Sequence, residues 1–152
     1  MEQFRLLQGI YNKQIPLIKK LYHQVKDIPL EEADKPYVFA LKTQQMFTAV
    51  EDLLKSTAKS FENHLDMDSG YYIELLRRMS TDVPRTRPAV LSDNSYRILD
   101  KLQSFRHFIR HAYNYELDVK ELSLLQDRLN RDFDFVLTDL AHFNQFLDGL
   151  EG

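Results

Sequence analysis

The sequence predicts an all-α fold, an up-down bundle of four long helices plus one short helix. Glycine (4) and proline (5) are scarce in a chain of 152 residues, which favours long, uninterrupted helices. Apolar residues recur at three- and four-residue intervals along every long segment, as on one face of an α-helix. No segment alternates apolar and polar residues in the way of a half-buried strand. Residues 1–152 are expected to form a single domain, because no linker interrupts this pattern.

The first half of the chain predicts two long helices. The first covers 2–28, and Pro16 is expected to bend it. The stretch "PLEEADKP", residues 29–36, is typical of a proline-bounded connection. Pro36 suits the first turn of the second helix, which is expected to continue to about Leu65.

The middle of the chain predicts a short helix, a loop and a third long helix. The short helix covers about 70–80, and the loop over 81–93 contains two prolines. The third long helix covers 94–115, and either Ser92 or Asp93 can cap its first turn.

The last helix has the most regular pattern. Asp118, followed three residues later by Glu121, is typical of a capping box at its start. Its apolar stripe alternates steps of three and four, which predicts antiparallel packing at shallow angles. Phe135, Phe146 and Leu150 fall off this stripe, so they either widen the buried face or mark a subunit interface. The stripe consists of Leu122, Leu125, Leu129, Phe133, Val136, Leu140, Phe143 and Leu147.

The composition excludes several classes of protein. The chain has no cysteine, which excludes disulfides and thiolate metal sites. It has no apolar segment of the kind that secretion or a membrane span requires. We therefore expect a cytoplasmic protein that does not enter the membrane, and the sequence indicates neither a metal nor a cofactor.

The charge is unevenly distributed along the chain. The net charge of −3 gives no bulk attraction to nucleic acid. Residues 71–115, however, hold 8 Lys or Arg against 4 Asp or Glu, whereas residues 116–152 hold 3 against 9. This difference is either ordinary surface variation or a local surface for an anionic ligand.

The positive segment contains the stretch "RHFIRHAY", residues 106–113. An α-helix turns 100° per residue, so Arg106 and Tyr113 fall on nearly the same face, whereas Arg106 and His111 are separated by about 140°. One straight helix therefore does not aim both at one small ligand. A distorted helix end, a folded-back arginine or a second copy of the helix would bring them together.

These residue types suit the cleavage of RNA without a metal. A base must take the proton of the ribose 2′-OH, and an acid must protonate the leaving oxygen. Histidine can serve as either near neutral pH. Arginine stays charged and matches the phosphate oxygens with its planar fork.

The pattern Arg106-x4-His111-x-Tyr113 resembles the R-x4-6-H signature of the HEPN ribonuclease superfamily, in the form found in HepT-type toxins. The stretches "YVFALKTQQMFTAVEDLLKSTAK", "YYIELLRRM", "VPRTRPAVLS" and "FRHFIRHAYNYELD" are similar, in that order, to one branch of HepT-like proteins. The span from the first of these stretches to the last, residues 37–118, is about half the chain.

The resemblance implies a HEPN-like homodimer in which two motifs line one cleft that cuts RNA, possible substrates including tRNA. It implies that Arg106 stabilises the phosphorane and that His111 is the general acid/base, with His107 as an auxiliary polar residue. It also implies an antitoxin partner, a minimal nucleotidyltransferase that transfers AMP onto Tyr113 in a type VII-like pair. Arg110 lies outside the signature, and we expect it to contact phosphate.

Other interpretations of the same residues remain open. The domain could be a non-catalytic helical module that binds a nucleotide or a partner. His107 and His111 have a spacing that can bind zinc, although the sequence offers no evident third ligand. Four further arginines could be solvated or could lead an RNA strand to the cleft. They are Arg77, Arg78, Arg85 and Arg87.

Overall fold

A computed structural model of the chain describes residues 2–62, 71–111 and 116–150. These residues form five α-helices and no strand, which confirms the all-α prediction. The helices are α1 (Glu2–Val25), α2 (Lys35–Glu62), α3 (Tyr71–Met79), α4 (Asp93–His111) and α5 (Val119–Asp148).

The four long helices form a ring around one core. α1 and α4 both pack against α2 and α5, and the short α3 contacts α2 and α4. α1 and α5 are antiparallel, because the Gln8 side chain donates to Asp148 while Gln126 donates to the carbonyl of Val25. The predicted up-down arrangement of four long helices and one short helix is therefore confirmed.

Most predicted helix boundaries agree with the structure within a few residues. α1 ends at Val25, earlier than the predicted 28. In a continuing helix Pro29 would have no N–H to donate to the carbonyl of Val25, and its ring would clash with that carbonyl. Pro16 lies inside a continuous α1. The expected ends of the second and third long helices, at Leu65 and residue 115, lie outside the described residues.

The stripe predicted for the last helix is the buried face of α5, with all eight of its residues in the core. Asp118 caps this helix by accepting a 2.9 Å hydrogen bond from the backbone N–H of Lys120. Phe146 and Leu150 pack against the core and widen the buried face, whereas Phe135 is largely exposed.

The connection between α3 and α4 is held by Arg87. This side chain is buried, forms an ion pair with Glu62 and donates to the carbonyls of Arg78, Thr81 and Pro88. It is therefore neither solvated nor available to RNA. It fixes the loop that leads into α4.

None of the described helices combines sufficient length with sufficient apolarity to cross a bilayer.

Candidate functional site

The C-terminal part of α4 carries residues 106–111 of the RHFIRHAY motif on two different faces. Arg106 continues the buried face of the helix, one turn beyond Leu102. His107, Arg110 and His111 are exposed. This agrees with the angular separation that helix geometry predicts for Arg106 and His111.

Arg106 is enclosed where α2, α3 and α4 meet. Its Nη1 and Nη2 donate to the two carboxylate oxygens of Glu51 at 3.0 and 2.9 Å. The side chains of Arg106 and Glu51 are only 4% and 5% exposed. The ring centroids of Phe47 and Tyr72 lie 4.6 and 4.4 Å from the guanidinium carbon of Arg106. The guanidinium is therefore held by a carboxylate at its end and by two aromatic rings.

The charge of Arg106 is balanced inside the protein. Burial by itself would lower the pKa of Arg106, but the hydrogen bonds and the negative charge of Glu51 outweigh it and raise that pKa above its usual value. The Lys55 ammonium lies 3.8 Å from the same carboxylate. In this arrangement Arg106 remains charged, but it faces α2 and not the solvent.

Glu51 was not singled out by the sequence analysis. A signal was nevertheless present, because Glu51 follows Phe47 by four residues and precedes Leu54 by three, on the apolar face of α2. A charged residue on such a face needs a buried partner. The neighbouring Asp52 lies on the exposed face and carries no such signal.

The structure brings together the two histidines of the motif. The rings of His107 and His111 are in edge-to-face contact, with their centroids 4.5 Å apart. Both rings are exposed near the end of α4, and Arg110 is exposed beside them. In the part of the chain that the structure describes, no group of three or more potential ligands could hold a metal ion.

Tyr113, the expected modification site, lies outside the described residues.

A groove of about 670 Å³ lies between α4 and α5, beside the motif. Phe105 and Leu125 line its apolar part, and two large apolar side chains in it are strongly exposed. Phe108 is 45% exposed and Leu124 is 69% exposed. Lys101 and Arg131 are among the charged residues of its lining. Phe108 belongs to the same turn of α4 as the two histidines, so the groove and the histidine pair are adjacent on one helix.

The described residues thus form an all-α bundle of five helices, with the R-x4-H pattern at the end of α4. The family model for HepT-like proteins matches residues 38–147, which include the whole motif. The chain belongs to the HepT-like family, as its resemblance to that family predicted. Neither the curated proteins nor the solved structures gave a match to it.

Proposed function

We propose that the protein is a metal-independent endoribonuclease toxin of a type VII-like toxin–antitoxin pair. The observation that carries this proposal is the HepT-like family match, which spans the complete motif from Arg106 to Tyr113. The exposed histidine pair supports it, because imidazoles open to solvent are available for proton transfer to and from RNA.

In the proposed reaction His111 is the general acid/base, His107 is an auxiliary polar residue and Arg110 contacts a phosphate. Arg106 has the role of stabilising the phosphorane. Its bonds to Glu51 use two of the five guanidinium N–H groups, and the Tyr72 side chain also hydrogen-bonds to the guanidinium. A phosphate would bind to the remaining N–H groups only once RNA or a second subunit has rearranged the surface around Arg106.

The spacing of the two histidines favours a site made by two copies of the chain. The attacking and leaving oxygens lie on opposite sides of the phosphorus in an in-line displacement. Two rings in contact, with centroids 4.5 Å apart, leave no room for a phosphate between them. A two-fold dimer would supply the opposite side from its second His111.

The groove between α4 and α5 is the surface that we propose for this homodimer. Its exposed Phe108 and Leu124 would be buried by a second copy. Because Phe108 lies between His107 and His111 in sequence, packing at this groove would bring the two histidine pairs towards each other.

The proposed partner is a minimal nucleotidyltransferase antitoxin. It would silence the toxin by transferring AMP from ATP onto the hydroxyl of Tyr113, releasing pyrophosphate. This assignment rests on the HepT-type form of the motif, in which the tyrosine follows the histidine by two residues.

A non-catalytic helical module is the second candidate. The observation that favours it is the burial of Arg106 against Glu51, which leaves that charge already compensated. A module of this kind would use the exposed cations of α4 only to bind a nucleotide or a partner.

One experiment separates the two candidates. The wild-type chain and a His111→Ala chain are expressed without the antitoxin, and the purified proteins are incubated with total RNA. Toxicity and cleavage by the wild type alone support the nuclease. Equal growth of both strains, with intact RNA in both incubations, supports the non-catalytic module.

A further inference from the structure

Glu51 is the only buried carboxylate among the residues that the structure describes. It lies on α2, and both of its oxygens accept hydrogen bonds from Arg106 of α4. The pair therefore connects two helices that are joined in sequence only through α3 and its two flanking segments.

A buried ion pair of this kind is weak evidence for a purely stabilising role. Removing two charges from water is costly, and apolar side chains of similar size stabilise such positions equally well or better. What the pair provides is orientation, because two parallel hydrogen bonds fix both the direction and the rotation of a guanidinium. Phe47 and Tyr72 restrict the same group further, at 4.6 and 4.4 Å.

The position of the pair in α4 links it to the histidines. Arg106 is adjacent to His107 and precedes His111 by five residues, so all three belong to the last two turns of the described helix. Holding Arg106 against α2 fixes the rotation of these turns about the helix axis. That rotation determines where the exposed imidazoles point.

We propose that Glu51 is a positioning residue of the RNA-cleaving site. It holds the Arg106 guanidinium in place and thereby fixes the turns of α4 that present His107 and His111. Glu51 itself touches neither the substrate nor the reacting atoms. This role rests on the proposed function, and it assigns to α2 a part in a site whose motif lies wholly on α4.

The first test compares Glu51→Gln with Asp52→Asn. Both substitutions remove one carboxylate charge from α2, but Asp52 is exposed. We expect Glu51→Gln to lower kcat for RNA cleavage by about 10²-fold, the scale of a misplaced catalytic group, with little change in KM. Asp52→Asn is expected to retain wild-type rates. Glu51→Asp keeps the charge but shortens the side chain, so its kcat is expected to be intermediate.

A stability control separates positioning from loss of folded protein. Leu147→Ala removes a core side chain near the far end of α5. Each variant is assayed well below its own melting temperature, with circular dichroism to confirm its helix content. If Leu147→Ala and Glu51→Gln lose activity to the same extent at matched stability, the positioning role is overturned.

The second test does not depend on RNA cleavage. Imidazole C–H resonances are recorded by NMR for the full chain and assigned with His107→Gln and His111→Gln variants. Glu51→Gln is expected to shift the His107 and His111 resonances and to leave those of His23 and His142 in place. Unchanged His107 and His111 resonances overturn the proposal whatever the RNA assay shows. A wild-type chain that cuts no RNA overturns the proposed function instead.

Discussion

The carboxylate of Glu51 and the guanidinium of Arg106, 55 residues apart in sequence, are joined by two hydrogen bonds of 3.0 and 2.9 Å. This contact places the arginine of the R-x4-H motif against α2, while the histidine of the motif faces the solvent. The two named residues of the motif therefore differ in environment. Arg106 is fixed and internally compensated, whereas His111 is exposed and its ring contacts the ring of His107.

Substitutions in the Glu51–Arg106 ion pair can separate its contribution to the stability of the fold from its contribution to RNA cleavage. Arg106→Met or Glu51→Met alone is expected to lower the free energy of unfolding by about 3–5 kcal/mol. Glu51→Met leaves the buried Arg106 charge without its carboxylate, and Arg106→Met leaves Glu51 with only the Lys55 ammonium at 3.8 Å. The double variant is expected to recover most of this loss, since it buries no charge, yet to cleave no RNA. Urea denaturation and an RNA cleavage assay measure the two properties. A double variant with wild-type cleavage would show that Arg106 has no catalytic role.

Helix geometry and apolar periodicity predicted most of the fold. The stripe of α5, the cap at Asp118 and the opposite faces of Arg106 and His111 all follow from local sequence. The partner of Arg106 did not follow in the same way. Glu51 is 55 positions away in sequence. Nothing in the sequence around either residue indicates that α2 and α4 pack with Glu51 opposite Arg106.

The arginines of the α3–α4 region illustrate the same limit. Arg77, Arg78, Arg85 and Arg87 look alike in sequence, but they have different environments. Arg77 and Arg78 bind Glu74, and Arg85 is exposed with a left-handed φ of 61°. Arg87 is buried and holds the loop. The backbone conformation of the loop between α3 and α4 determines which arginine side chain is buried. The amino-acid composition of the loop does not specify that conformation.

The histidines provide the next prediction. His111→Ala is expected to reduce RNA cleavage by at least about 10²-fold, the usual contribution of a general acid/base. His142→Ala is the matched control, because His142 is also an exposed histidine but lies on α5. Rates are measured on purified, antitoxin-free protein across pH 5–8. Equal losses in the two variants would contradict the assignment of His111.

Cleavage is expected to proceed without a divalent metal, because two imidazoles and a guanidinium can supply proton transfer and charge stabilisation. The products should carry a 2′,3′-cyclic phosphate, the outcome of attack by the ribose 2′-OH. Activity is measured in excess EDTA, and the product ends are identified by mass spectrometry. Loss of activity in EDTA that is restored by Mg²⁺ would indicate a different mechanism.

The proposed dimer surface is tested with a charge in the α4–α5 groove. Phe108→Glu is expected to give a monomer by light scattering and to abolish cleavage, because a second copy would have to bury the new carboxylate. Phe135→Glu is the control, since Phe135 has a similar exposure of 42% but does not line the groove. A monomeric Phe108→Glu protein that cuts RNA at the wild-type rate would exclude a composite site.

The last prediction concerns control by the antitoxin. Tyr113 follows His111 by two residues and Arg110 by three, so in sequence it is next to the exposed cations of the motif. An attached AMP would place a phosphodiester charge of about −1 and a bulky adenosine near the cations that we propose bind RNA. We expect incubation with the cognate nucleotidyltransferase, ATP and Mg²⁺ to add one or more AMP units at Tyr113 and to abolish cleavage.

Two tyrosine variants test this assignment. Tyr113→Phe is expected to resist modification and to keep its cleavage activity in the presence of the antitoxin and ATP. Tyr37→Phe, which alters a 57% exposed tyrosine on α2, is expected to be modified and silenced like the wild type. Intact-mass and peptide mass spectrometry locate the adduct.

An adduct on Tyr71, Tyr72 or Tyr115 would move the modification site but leave the type of control intact. Inhibition by the antitoxin with no adduct at all would contradict control by AMP transfer. It would show that the antitoxin inhibits by stable binding alone.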